Sequence, residues 1–250
     1  MGKLYRVGSA AFLAAFKAFD VQLQVRGAEN IPASGGAILA SNHISYLDFA
    51  FVMLANPAPR REVRFLARSE FFRVPVVGQA LRALRQIPVD VQGDPLTAAA
   101  AAKDALQNGE LIGMHPEGTI SPAFVLRRGK SGAVRLAEQA GVPLIPVGLW
   151  GPQRLLTKGR PFRPRRHVSV LVEYGEPFYP SGRTGAAKTA DLMQRIDALV
   201  KSAQNRYPQQ PVPGYDWWQP AHLGGTAPTL EEADAMIAAQ FNKRQKPQQN

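Results

Sequence analysis

The chain has no cysteine among its 250 residues, which excludes disulfides, thiolate metal sites and a cysteine nucleophile. Its four histidines are far apart and none stands in an H-E-x-x-H run, so a metal centre finds no support. There is no G-x-S-x-G elbow of the kind that exposes a serine nucleophile. A P-loop on Gly129, Lys130 and Ser131 fails because its first glycine would have to be Phe124. Long apolar runs are missing as well: residues 7–16 are cut off by Lys17 and Asp20, well short of the ~20 residues that span a bilayer. The same stretch follows Lys3 and Arg6 as in a signal peptide, but no small-x-small cleavage site comes after it. Acids are scarce, 19 against 30 lysines and arginines, for a formal charge of +11 and a pI near 10.3. That balance calls for an anionic partner: nucleic acid, a phosphorylated substrate or an acidic membrane surface. No nucleic-acid motif is present and the basic residues are not interleaved with aromatics as a stacking surface would require, so nucleic acid is not the expected partner.

What is present centres on residues 37–48, AILASNHISYLD. Residues 37–41 read as a buried strand entered from Gly35 and Gly36. Ser45 to Asp48 then spells a capping box, with Ser45 as N-cap and Asp48 as third helical residue. His43 falls on the corner between them. On a continuous helix, five residues turn through about 500° and leave two side chains about 140° apart, so only a corner lets His43 meet Asp48. In such a pair the carboxylate accepts one ring N–H and leaves the other nitrogen free to take a proton from a hydroxyl. The plainer alternative is an Asp48 that only caps a helix beside a turn histidine.

The remaining chain alternates short apolar runs with helices. Strands are expected at residues 21–25, 64–67, 86–90, 110–114, 143–149 and 167–174, and helices at 74–84, 94–108, 131–140 and 186–205. Pro88 suggests an edge strand. The pattern gives an α/β fold: a single domain with a mostly parallel central sheet flanked by helices. Its organisation is an N-terminal amphipathic helix (1–20), a main domain (21–206) and a Pro/Gly-rich extension (207–250) with a short helix from Thr229 through residue 239. On the first helix Tyr5, Phe12, Phe16 and Phe19 lie within about 60° of one another, with Lys3, Arg6 and Lys17 on another side. That face suits either the membrane interface or the protein's own core. Trp217 and Trp218 could cover a channel or touch lipid.

Four blocks, NHISYLD at 42–48, IPVD at 87–90, PEGT at 116–119 and VPLIPV at 142–147, occur in one order over roughly residues 27–177. With them the chain resembles the glycerolipid acyltransferases of the 1-acyl-sn-glycerol-3-phosphate acyltransferase type. The resemblance implies that family's fold and direct acyl transfer to a lysophosphatidic acid hydroxyl. Acyl-coenzyme A or acyl carrier protein is the donor substrate, and no cofactor is implied. It makes His43 the general base and Asp48 its orienting partner, and it assigns acceptor binding to Glu117, Gly118 and Thr119. Backbone groups of Ile87, Pro88 and Val89 are the oxyanion candidates. For Glu117, whose carboxylate would repel a phosphate, the favoured role is an indirect one. Where the family usually carries arginine after IPVD and PEGT, this chain has Val91 and Ile120; Arg85, Arg127, Arg128 or Lys130 would then hold the phosphate. The acid-free segment with Arg154, Lys158, Arg160, Arg163, Arg165 and Arg166 could hold coenzyme A phosphates or anionic headgroups. The expected location is the cytoplasmic face of the cell membrane, peripheral or monotopic. Other acceptors (glycerol-3-phosphate, another lysophospholipid, a glycolipid) remain alternatives, as does a non-enzymatic basic membrane- or nucleic-acid-binding protein.

Overall fold

The structure, a computed structural model, describes residues 2–56, 61–90, 95–163 and 165–245. Strand β2 (Ala37–Ser41) is buried at every position, as are β6 (Leu144–Trp150) and β7 (Ser169–Tyr174). Burial on both faces is what an uninterrupted apolar run implies. These three sit inside a seven-stranded sheet with β1 (Gln22–Arg26), β3 (Val63–Arg68), β4 (Ile87–Val89) and β5 (Leu111–Met114). Its order is β1-β7-β6-β2-β5-β3-β4. Every neighbouring pair runs parallel except β6 and β7. Pro88 lies on the outermost strand, where a residue without an N–H is tolerated.

Alternation along the strands divides the core in two. Ile38 and Ala40 face a cluster with α4 (Pro95–Gln107), α5 (Gly132–Ala140) and α6 (Gly185–Asn205), through Ala102, Leu106, Val134, Leu192 and Ile196. Ala37 and Leu39 face the opposite cluster, with Phe51 and Val52 of α2 (Asp48–Leu54) and Tyr5 of α1 (Lys3–Ala18). Here the aromatic face of α1 finds its partner. Phe16 stacks on Phe51 with centroids 4.3 Å apart, Phe12 meets Phe49 edge-on at 5.7 Å, and the Tyr5 hydroxyl accepts a hydrogen bond from the Val63 amide. Tyr5, Phe12 and Phe16 therefore dock on the protein's own core, while Phe19 of the same stripe stays exposed. Leu4 and Val7 on another side of α1 stay exposed, as do Phe71, Val74, Val76 and Val77 around α3 (Val77–Ala83). Among the described residues no helix is long and apolar enough to cross a membrane.

The C-terminal segment departs from the expected surface wrap. Residues 207–228 have little regular structure beyond one 3-10 turn (Ala221–Leu223), yet Trp218 is fully buried against Tyr207 and its indole N–H donates to the Tyr215 carbonyl. Trp218 thus has no access to lipid or to a channel, because it belongs to the main core. The capping box at Thr229 forms as expected: Thr229 N–H donates to Glu232 and Glu232 N–H to the Thr229 hydroxyl. It starts α7, Leu230–Gln245, which runs past residue 239.

Removing the Phe16 ring tests the docking of α1. Phe16→Ala is expected to lower stability to urea by about 2 kcal/mol, the loss of a half-buried stacked ring. An unchanged midpoint would mean that α1 does not pack on Phe51 in solution.

Candidate active site

The site is built where β2 and β5, neighbours in the sheet, reach their carboxyl ends. In parallel α/β sheets those ends are where functional loops collect. Past Ser41 the chain is pinned by Asn42, whose side-chain amide donates to the Leu149 carbonyl and accepts from the Leu149 N–H at 3.0 and 2.8 Å. The corner follows. Three N–H groups converge on one oxygen of Asp48, Oδ2: His43 Nδ1 at 2.9 Å, the Ile44 amide at 2.7 Å and the Ser45 amide at 2.8 Å. Helix α2 begins only at Asp48, so Ser45 is not its N-cap as the sequence suggested. The chain from 44 to 47 wraps around the carboxylate first. Ser45 Oγ accepts from the Leu47 N–H and donates to the Leu156 carbonyl.

Glu117, on the loop after β5, holds the backbone of the histidine. One carboxylate oxygen accepts the His43 N–H at 2.7 Å and the other the Arg127 N–H at 3.0 Å. The His43 carbonyl in turn accepts from the Ser121 amide. Above the base, His115 stacks face to face on His43 with centroids 4.0 Å apart and shares a 3.0 Å hydrogen bond with Ser41 Oγ.

Burial sets the charge states. It lowers His43 to about 3, helped by the positive charge of Lys158. His115 is likewise lowered to about 3 by burial and then by His43. Burial raises Asp48 to about 7, opposed by His115 and by the Ser45 and Ile44 amides. Glu117 is pushed up to about 8 by burial, opposed by its two amide donors. At neutral pH His43 is therefore an uncharged imidazole. With Nδ1–H committed to Asp48, its Nε2 is the nitrogen with a free lone pair. Such an arrangement can draw a proton from a hydroxyl brought to that nitrogen. Among the described residues no group of three or more histidine, aspartate and glutamate side chains could hold a metal.

Several residues singled out in the sequence converge on this corner. Gly118 has a φ of +70°, and a Cβ there would lie 3.0 Å from Lys130 Nζ, so the lysine reaches the turn. Lys158 Nζ donates to Thr119 Oγ1 at 3.2 Å. Others do not converge. Arg85 sits just ahead of β4 at the opposite end of the sheet, paired with Glu62 and Glu110, and is no part of the site. The Arg127 guanidinium is taken by Asp234 of α7, with Nε 3.1 Å from the carboxylate, so only its backbone serves the site. Arg128 is exposed on the same loop. Ile87, Pro88 and Val89 form β4, three strands from β2 and so about 14 Å away across the sheet. Pro88 has no N–H, and the amides of Ile87 and Val89 are too distant to face His43. Ile120 is buried, and Val91 lies outside the described residues. Lys158 belongs in the sequence to a basic run more than a hundred residues from His43, and no spacing rule links the two. Asn42 carried a clearer signal, as an amide set at the end of a wholly apolar strand.

The chain is similar to known proteins in sequence and in fold. A Bacillus subtilis protein named 1-acyl-sn-glycerol-3-phosphate acyltransferase is 28% identical over 196 residues, covering 73% of this chain and 93% of that protein. A Brassica napus chloroplastic protein of the same name is 28% identical over 63% of this chain, which spans 45% of its length. In structure, the lysophosphatidic acid acyltransferase PlsC of Thermotoga maritima superposes with a TM-score of 0.65 and 28% identity, covering 83% of this chain and 80% of that one. Residues 22–150 match the family model described as Acyltransferase. That match takes in more than half the chain and both loops that meet at His43, and this protein is accordingly a member of the acyltransferase family.

Proposed function

We propose that the protein moves a fatty acyl group from a thioester donor, acyl-coenzyme A or acyl carrier protein, to the free hydroxyl of lysophosphatidic acid. The observation that carries this reading is the His43 Nδ1 to Asp48 Oδ2 contact, which leaves a neutral Nε2 as base. The acceptor hydroxyl gives its proton to Nε2 as its oxygen attacks the thioester carbonyl. The tetrahedral intermediate then collapses, the carbon–sulfur bond breaks, and the imidazolium returns the proton to the departing thiolate. Asp48 stabilises the imidazolium between these steps without taking the proton. No acyl-enzyme is needed, in keeping with a chain that has no cysteine.

The acceptor assignment is supported by the names of the Bacillus and Thermotoga relatives. It is supported too by Lys130 and Lys158, which reach Gly118 and Thr119 and supply cations beside Ile120, which supplies none. Glu117 acts indirectly, by fixing the backbone of the base. The loss of arginine at position 120 keeps one variant reading open, the same chemistry on glycerol-3-phosphate, another lysophospholipid or a glycolipid. Attachment to the cytoplasmic face of a membrane would use the exposed Leu4, Val7, Phe71, Val74, Val76 and Val77, with Arg6 and Arg73 beside them in the chain.

Release of free thiol from palmitoyl-coenzyme A, with each acceptor offered separately, tests the reading. His43→Ala is expected to lose roughly 100- to 10,000-fold in rate while staying folded. Full activity in that variant would remove His43 from the mechanism. The pH profile gives a second test. Burial raises Asp48 to about 7, so kcat/KM is expected to fall as pH drops through that value and the carboxylate gains a proton. His43 itself, near 3, titrates far below. In Asp48→Asn, the amide oxygen can keep the three donors and the amide nitrogen takes the place of Oδ1, which has no hydrogen-bond partner. That variant should be slower at every pH and show no limb near 7; a limb that survives would belong to another group.

A further inference from the structure

The loop after β6 and the C-terminal segment enclose a cavity of about 450 Å³, within the size range of small-molecule sites. Five arginines line it, Arg154, Arg160, Arg163, Arg165 and Arg166, and among the described residues no acidic side chain does. So many guanidinium groups around one cavity repel one another unless an anion joins them. Arg154 is the built part of the site. It is 8% exposed, donates to the Tyr207 hydroxyl at 2.9 Å and to Gln209, and lies 4.4 Å from the Trp218 ring centre. Its Nε is buried without a hydrogen-bond partner among the described residues.

The basic run holds one aromatic of its own, the exposed Phe162, which does not line the cavity; the aromatic faces here are delivered by the C-terminal segment. Arg165 sits 3.3 Å from the centre of the Tyr215 ring and Arg160 4.9 Å from that of Trp217, and both rings line the cavity. The cavity also touches the catalytic corner. Two of its wall residues, Leu156 and Thr157, are bonded to it: the Leu156 carbonyl accepts from Ser45 Oγ at 2.6 Å and from the Tyr46 amide, and Thr157 Oγ1 donates to the Ile44 carbonyl at 2.7 Å.

We propose that this cavity binds the 3′-phosphorylated adenosine diphosphate end of coenzyme A, arginines on its phosphates and the Tyr215 and Trp217 rings against its base. The inference rests on the thioester-donor reading above and selects the nucleotide-bearing donor. A glycerolipid headgroup shares the phosphate chemistry, but lysophosphatidic acid offers one phosphate and no ring. Coenzyme A offers three phosphates and a flat base, which match several forked donors beside aromatic faces. Its extended pantetheine arm would lead from the cavity to the corner that Leu156 and Thr157 support.

Adenosine 3′,5′-bisphosphate, which carries the base and the 3′-phosphate but no acyl group, is the probe. Its titration against the whole protein, followed by tryptophan fluorescence and by calorimetry, is expected to show salt-sensitive binding. The double variant Arg163→Ala, Arg166→Ala changes two exposed side chains and should weaken that binding by at least about tenfold. In turnover, the same variant should raise KM for palmitoyl-coenzyme A by a similar factor, with kcat and the KM for lysophosphatidic acid little changed. A rise in the lysophosphatidic acid KM instead would make the cavity a headgroup site and overturn the proposal. So would absence of bisphosphate binding to the wild type, or turnover with acyl carrier protein alone. Bisphosphate binding in a protein that turns over no acceptor would leave the cavity as proposed and remove the acyl-transfer reading.

Discussion

One buried oxygen organises this protein. Asp48 Oδ2 gathers the imidazole N–H of His43 and two backbone amides, and the polypeptide between residues 43 and 48 takes its shape by closing around it. A carboxylate with no exposure is costly to hold unless N–H groups replace its water, and three do so here. The same bonds give the ring its tautomer. Geometry and protonation of the base are thus fixed by one set of contacts. The neighbouring strands complete the arrangement: Asn42 ties the end of β2 to β6, and Glu117 ties the following residue to the loop after β5.

The features legible in the sequence were those written locally. Apolar runs announced the strands, glycine and proline their ends, and the H-x-x-x-x-D spacing announced the pair once a corner was placed between them. The Thr229 capping box formed because both of its bonds lie within four residues. Features that depend on distant partners were not legible. An aromatic stripe has the same period whether it meets lipid or Phe49 and Phe51, and only the docked helix decides. Arg85 looked available for a phosphate because Glu62 and Glu110 are remote in the chain and adjacent in space. The IPVD block reads as part of the site in order along the chain, while the strand order places it at the far edge.

The C-terminal segment shows the same limit most plainly. Its composition suggests a loose wrapping, yet Tyr207 and Trp218 pack into the main core and Tyr215 and Trp217 face a basic loop some fifty residues earlier. Proline and glycine report that the chain will not form a helix or strand there; they say nothing about how tightly it packs. The loop's own aromatic, Phe162, stays outside the cavity, and the rings that line it come from elsewhere in the chain.

The burial that shapes the site also acts on the fold as a whole. Asp48 and Glu117 have their proton affinities raised from the ordinary 3.8 and 4.5 to about 7 and about 8. A group that holds its proton more tightly when folded stabilises the native state most at low pH. That advantage drains away as pH rises from the ordinary value through the raised one. Above pH 8 both acids are ionised in the folded and unfolded chain alike, and neither proton favours the native form any longer. The condition that makes Asp48 a negative partner for its histidine is thus the one in which these two acids contribute least to holding the chain together.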